Sequence, residues 1–321
     1  MPIEPFRSEI LQLADGSSMY WEASGNPKGK PALYLHGGPG SGVQTGYRQH
    51  FDPERYLIVS LDQRGCGRSR PMATGAHYDL AANTTQALIA DIEQLREHLG
   101  IERWLLTGMS WGTTLALAYA QTHPERVSGI VLAAVTTTSR SEVTWITETI
   151  GRVFPEAWSE FERRANREAG ESLIDAYYRL IRHPDQKTRE LAAEAWCKWE
   201  DVLVSLDPGS KPSARFADPD FRINFATLVI HYFANAAFLE GKEILHNMKR
   251  IAHLPGVLIH GRLDVSGPLQ TAWQLHQSWS ESRLVVVETE GHGGSAMVTE
   301  FTKAIDSFLP DWPRKRGSAP R

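Results

Sequence analysis

The stretch from Trp104 to Gln121 reads WLLTGMSWGTTLALAYAQ. Its first residues, Trp104 to Thr107, have the apolar run of a strand buried on both faces, and Thr113 to Gln121 read as a helix. Between them stands Gly108-Met109-Ser110-Trp111-Gly112, a G-x-S-x-G pattern, which has a mechanical meaning only at such a strand-to-helix junction. A turn that sharp holds its central residue in a strained conformation and lifts the hydroxyl above the sheet, while the flanking glycines let neighbouring chain approach. The helix start behind it adds the positive end of a dipole. A pattern with three fixed positions is otherwise ordinary turn chemistry, so it is the flanking strand and helix that make Ser110 a candidate nucleophile.

The same alternation extends outward from this turn. Ala32 to Leu35, Tyr56 to Leu61 and Val127 to Val135 read as further buried strands, which predicts a parallel sheet. Asn83 or Thr84 can cap a helix whose apolar residues Leu88, Ile92, Leu95 and Leu99 share one face, and Gly100 closes it. From Ser139 to Met248 the chain becomes helical, rich in tryptophan and charge, and broken at His183-Pro184 and at Asp207 to Pro212. Alternation then resumes, with strands at Val257 to Ile259 and Leu284 to Thr289 and helices at Leu269 to Trp279 and Ala296 to Phe308. The expected architecture is an α/β fold, a mostly parallel central sheet flanked by helices. Residues 1–138 and 249–312 form its core, 139–248 an inserted helical cap, and 313–321 a flexible tail.

Composition narrows the function classes. Hydrophobic residues at 41% and charged residues at 22% describe a folded globular chain rather than a disordered one. The net charge of −4 is spread without long runs of one sign, which excludes a general nucleic-acid or anionic-membrane surface. Cys66 and Cys197 are too few for a disulfide framework and are not spaced as a zinc site. Glu4, Arg7 and Glu9 interrupt any apolar leader within Met1 to Ile10, so a cytoplasmic location is expected. The longest segment free of Asp, Glu, Lys and Arg, Trp104 to Pro124, carries too many Gly, Ser and Thr residues to span a membrane. The sequence is silent on oligomeric state.

A serine hydroxyl is a weak nucleophile at neutral pH without a neighbouring base. With this kind of elbow the acid and then the histidine follow in chain order. Gly261-Arg262-Leu263-Asp264 and Gly291-His292-Gly293-Gly294 each follow a predicted strand, where loops at strand ends host sites. Of the 12 histidines only His276 and His292 come after Asp264, and His276 falls inside a helical pattern. Ser110, Asp264 and His292 are therefore the candidate triad. His36-Gly37-Gly38-Pro39-Gly40 follows the first strong strand, where the backbone N–H of Gly38 can join that of Trp111 as an oxyanion hole. His36 itself reads as a turn residue bonded to main chain. Asp62-Gln63-Arg64-Gly65-Cys66-Gly67-Arg68-Ser69 lacks both phosphate-loop patterns and reads as scaffold.

Taken together, HGGPG at 36–40, DQRGCGRS at 62–69, GMSWG at 108–112, HGRLD at 260–264 and Gly291-His292 resemble the landmarks of the proline iminopeptidase (prolyl aminopeptidase) group of α/β-hydrolases, in order, from about residue 6 to 310. The resemblance implies an α/β-hydrolase fold and a serine peptidase that releases N-terminal proline through an acyl-enzyme. Ser110 would be the nucleophile, His292 the base and then the acid, and Asp264 the group orienting the imidazole. It implies no metal and no other cofactor, and as partner a small peptide with a free N-terminal proline. It also implies a substrate pocket between core and cap, in which Glu200 of the Trp199-Glu200 pair holds the imino group, with Trp199 and Gly37 alongside. A shielded carboxylate would bind an ammonium strongly and reject blocked N-termini. Trp145, Trp158, Trp196 and Trp199 could line that pocket or pack the cap helices, packing being the default.

Two positions depart from the group. Val229 stands where a second acidic residue often helps hold the amine, and Thr137 stands where a bulky aromatic is common, so weaker or broader proline selectivity is expected. A serine esterase, amidase or lactonase acting on a neutral acyl group is the alternative reading, and a small-molecule sensor with little turnover a lesser one.

Overall fold

Strands buried on both faces build the frame that carries the serine. The computed structural model describes residues 3–204, 206, 211–241 and 243–309. The tail 313–321 and most of the break at 207–212 lie outside the described residues. Among the described residues eight strands form one sheet: β1 (Pro5–Gln12), β2 (Ser18–Gly25), β3 (Lys30–Leu35), β4 (Tyr56–Leu61), β5 (Trp104–Met109), β6 (Val127–Ala133), β7 (Gly256–Gly261) and β8 (Ser282–Val287). Their order is β1-β2-β4-β3-β5-β6-β7-β8, with β2 antiparallel to both its neighbours β1 and β4 and every other adjacent pair parallel.

Neighbouring residues on a strand face opposite sides, and the core follows that rule. Leu33, Leu106 and Leu132 pack on one face with Leu88, Ile92 and Leu95 of helix α1 (Thr85–His98) and with helix α2 (Trp111–Thr122). Ala32, Leu105 and Val131 pack on the other with Met297, Phe301 and Ile305. Those three belong to the closing helix of the fold. Thr84 caps α1 by accepting the Ala87 N–H, whereas Asn83 is buried and accepts the Tyr232 hydroxyl instead.

The antiparallel strands β1 and β2 were not expected from the sequence. β1 is exposed along nearly its whole length and carries Arg7 and Glu9, so it lacks the apolar signature of a strand; pairing with β2 holds it in place. β6 stops at Ala133, two residues short of the expected end, because Ala134 adopts φ +50°.

Between β6 and β7 run helices α3 (Arg140–Thr147), α4 (Pro155–Ala165), α5 (Leu173–Ile181), α6 (Gln186–Leu203) and α7 (Pro219–Ala234). They bury an apolar cluster of their own, with Phe161, Tyr177, Trp196, Trp199 and Phe225 inside. Ser139 and Glu142 close a capping box at the start of α3, Asp185 caps α6 and Asp218 caps α7. Helices α8 (Gln270–Gln277) and α9 (Ser295–Asp306) complete the fold. No helix among the described residues is long and apolar enough to cross a membrane.

The tightest point of the frame is where α2 leaves β5. A Cβ on Gly112 would lie 2.1 Å from the Leu35 carbonyl oxygen, which belongs to the neighbouring strand and has no rotamer to give. Gly112→Ala is expected to cost about 1–3 kcal/mol, read as a lower midpoint of thermal or urea unfolding. Gly46→Ala, whose added methyl meets nothing within 4 Å, should leave the midpoint in place. Equal midpoints for the two variants would contradict this account of the junction.

Candidate active site

Ser110 sits at the β5–α2 junction with φ 56° and ψ −129°, a conformation an L-residue adopts only under constraint. Its N–H donates to Ala133 O at 3.1 Å, tying the turn to β6. A Cβ on Gly108 would lie 2.5 Å from Gly112 O, so the turn closes only around glycine on both sides. The strain is therefore supplied by β3, β5 and β6 together.

Asp264 follows β7 and His292 follows β8, and the parallel sheet brings both to the end that carries Ser110. His292 Nε2 accepts from Ser110 Oγ at 3.0 Å, and Nδ1–H donates to Asp264 Oδ2 at 2.8 Å. The Asp264 side chain is fully buried. Burial opposes its ionisation, but the His292 charge and hydrogen bond, then the His260 ring and the Gly267 N–H, together hold its carboxyl down at about 2. Burial would lower the His292 pKa, and the charge of Asp264 with its hydrogen bond outweighs that and raises it.

Two residues of this arrangement have roles that the motifs do not state. Ser266 donates its hydroxyl to Asp264 Oδ1 at 2.8 Å and lies 2.8 Å from His292 Nδ1, so it braces both. The Ser266 and Gly267 N–H groups also donate to Asp264 Oδ1. That is the Asx-turn habit of an aspartate two residues before a serine, a signal present in Asp264-Val265-Ser266-Gly267. His260, fully buried, accepts the Val135 N–H and reaches Gly267 O, pinning the loop of Asp264 to the end of β6. Only packing distinguishes it from any other strand histidine.

Gly37 and Gly38 lie against Ser110 in the cavity walls, and Trp111 begins α2, so its N–H has no acceptor within the helix. The indole N–H of Trp111 donates to Gln63 Oε1, and Gln63 in turn grips His36 through main chain and ring. His36 is thus held by main chain and Gln63, and burial lowers its pKa. Asp62 receives Arg68 and the Val43 N–H, which makes the Asp62–Ser69 loop a brace for the oxyanion segment.

Two cavities meet at Ser110. The smaller, about 60 Å³, is walled by Thr136, Thr138, Val143, Ile146 and Phe233; the larger, about 280 Å³, opens past Phe216, Phe221 and Arg215. Ser110, Gly38, Glu200 and His292 line both. Glu200 projects from α6 with the Trp196 N–H donating to it at 3.1 Å. Burial pushes its carboxyl up to about 7, against the pull of that N–H and of His292.

Three expectations change here. Trp199 does not face Ser110: its ring stacks on Phe161 at 5.2 Å and its N–H donates to Ile146 O, because one turn of α6 cannot present residues 199 and 200 to the same side. Thr137 is buried with its hydroxyl on Glu142, and its neighbours Thr136 and Thr138 form the wall instead. Val229 is wholly buried in the cluster of the inserted helices. Glu142 lines the small cavity but does not replace a carboxylate there, since Thr136, Thr137, Ser139 and Thr271 occupy both its oxygens. Of the other tryptophans, Trp145 and Trp158 donate to main chain. Among the described residues no group of three His, Cys, Asp or Glu side chains is placed to hold a metal ion.

Comparison with known proteins shows the family and the fold. The family profile for the alpha/beta hydrolase fold matches residues 30–295. A "probable proline iminopeptidase" of Streptomyces coelicolor is 47% identical over 90% of this chain and 91% of its own. A "proline iminopeptidase" of Neisseria meningitidis serogroup B is 42% identical over 96% of this chain and 97% of its own. Among solved structures, a bromoperoxidase from Bacillus anthracis superposes with TM-score 0.66 at 18% identity, over 95% of this chain and 100% of that one. An esterase from Exiguobacterium antarcticum gives 0.58 at 20% identity, with the same coverage of both. These two share the fold.

The opposed influences on His292 make a direct test. Its ring should titrate above the ordinary histidine value in an NMR titration, assigned with His292→Gln. In Asp264→Asn, where burial remains and the countercharge is gone, it should titrate below that value. An unchanged titration would contradict the pairing.

Proposed function

The chain belongs to the proline iminopeptidase family of the α/β-hydrolases, and from that premise we propose that it is a serine aminopeptidase that releases N-terminal proline from peptides. The observation that carries the reading is the Glu200 carboxylate, set into the wall shared by both cavities at Ser110. There it would pair with the secondary ammonium of an N-terminal proline and place the first carbonyl over the hydroxyl.

The steps follow from the hydrogen bonds. As Ser110 Oγ attacks the carbonyl carbon, its proton passes to His292 Nε2, and Asp264 stabilises the imidazolium through Nδ1–H. Backbone N–H groups of Gly38 and Trp111 would hold the developing oxyanion. His292 then protonates the leaving amine, and a water activated by the same ring hydrolyses the prolyl ester. Residues 1–138 and 249–312 would supply this chemistry, and the helical cap 139–248 the amine site. Val229 packs among the inserted helices and lines neither cavity, so Glu200 alone of the expected pair would hold the amine, and selectivity for proline should be weaker than is usual in the family.

Prolyl-p-nitroanilide should be hydrolysed, N-acetylprolyl-p-nitroanilide should not, and Ser110→Ala should lower kcat at least about a thousandfold. Glu200→Gln should raise KM for the free prolyl substrate by roughly 10- to 100-fold, the equivalent of a charged hydrogen bond. Ser110-dependent turnover of p-nitrophenyl acetate with no prolyl preference would instead mark an esterase.

The pH profile carries a second signature. Glu200 must be ionised to hold the amine and His292 must be neutral to accept a proton, so protonation of either stops the reaction. With Glu200 near 7 and His292 raised, kcat/KM for prolyl-p-nitroanilide should fall more steeply than first order as pH drops below about 7. Glu200→Gln should reduce the limb to first order. A first-order limb in the unmodified protein would remove Glu200 from the amine site.

A further inference from the structure

The larger cavity holds a cation that the chemistry above does not use. Arg215 stands in its wall with Phe216, Phe221 and Phe225, none of which lines the smaller cavity of Val143, Ile146 and Phe233. Its guanidinium is half-buried, lies 3.8 Å from the centre of the Phe221 ring and, among the described residues, donates once, to Ser41 O at 2.5 Å. No carboxylate forms an ion pair with it among the described residues. Burial lowers its pKa, and Asp62, which opposes this from a distance, is already committed to Arg68 and the Val43 N–H. Asp201, which lines the same cavity, accepts the Ser213 N–H. A guanidinium carries five donors, so most of those of Arg215 remain available to an anion.

We propose that Arg215 binds the free C-terminal carboxylate of a short peptide, making the protein selective for prolyl dipeptides and tripeptides over longer or C-terminally blocked chains. The inference rests on the aminopeptidase reading above. If the first residue places its amine on Glu200 and its ring in the smaller cavity, the remainder of the substrate leaves through the larger one. A residue spans about 3.5 Å when extended, so one or two residues beyond the scissile bond keep the terminal carboxylate within a cavity of this size. The cavity is then polarised as a zwitterion requires, with Glu200 at the nucleophile and a cation at the exit, while the three phenylalanines offer an apolar bed to the side chain between them. A bidentate guanidinium–carboxylate pair is the geometry for which arginine is suited.

The test compares kcat/KM for Pro-Leu with that for Pro-Leu-amide, which differ only in the terminal charge. The unmodified protein should favour the acid by roughly tenfold, the scale of a partly solvated charged hydrogen bond. Arg215→Gln should bring that ratio to about one, and Arg215→Lys should keep part of it. Because both substrates meet the same variant, any general loss of activity cancels in the ratio. A ratio near one in the unmodified protein, or a ratio unaltered in Arg215→Gln, would overturn the proposal while leaving the aminopeptidase reading intact. Absence of turnover on prolyl-p-nitroanilide would overturn that reading and this proposal with it.

Discussion

Everything at this site depends on the contact between the Leu35 carbonyl oxygen and the peptide of Gly112, where a single methyl group has no room. That contact presses α2 against β3 and leaves the chain between β5 and α2 one way to turn, with Ser110 at φ 56°. The central strand is buried on both faces, so the cost of the strained residue is spread over a large apolar core. The hydroxyl ends above the sheet beside the helix start, within reach of a histidine carried three strands away. A flexible turn could not hold a 3.0 Å approach to His292 without help from the ligand.

Around that fixed hydroxyl the electrostatics are divided between two structural layers. The sheet supplies an ionised, fully buried Asp264 that receives three donors besides His292, namely the Ser266 hydroxyl and two N–H groups. The inserted helices supply the opposite case: Glu200, with one indole donor and a carboxyl pushed up to about 7 by burial. A carboxylate with so few partners is poised to gain from an arriving ammonium, whereas one already saturated, as Glu142 is, has little left to offer. Neighbours, more than residue type, separate structural from binding acids in this pocket.

Much of this was legible in the sequence because parallel strands buried on both faces announce themselves as apolar runs, and the elbow, the acid and the histidine each stand directly after one. β1 escaped notice because its exposed face pattern and its charges resemble a loop, and its strand character comes only from pairing with β2. The resemblance sets both Trp199 and Glu200 in the pocket, but successive residues on a helix diverge by about 100°, and only packing against Phe161 shows which of the two turns inward. Thr137 failed for a related reason: Thr138 at φ +53° and the capping box at Ser139 redirect the chain, so its neighbours form the wall. Ser266 and Arg215 belong to no motif; one is found by its hydrogen bonds and the other by the ion pair it lacks.

The central claim is that Ser110 takes up a prolyl group only when the substrate's amine is free to meet Glu200. The most direct measurement is to mix the protein with prolyl p-nitrophenyl ester, quench in acid within the first turnover and map the digest by mass spectrometry. The account predicts one prolyl group on the peptide containing Ser110, and little or none when the ester is N-acetylated. A prolyl adduct on another residue, or equal acylation by the two esters, would contradict it.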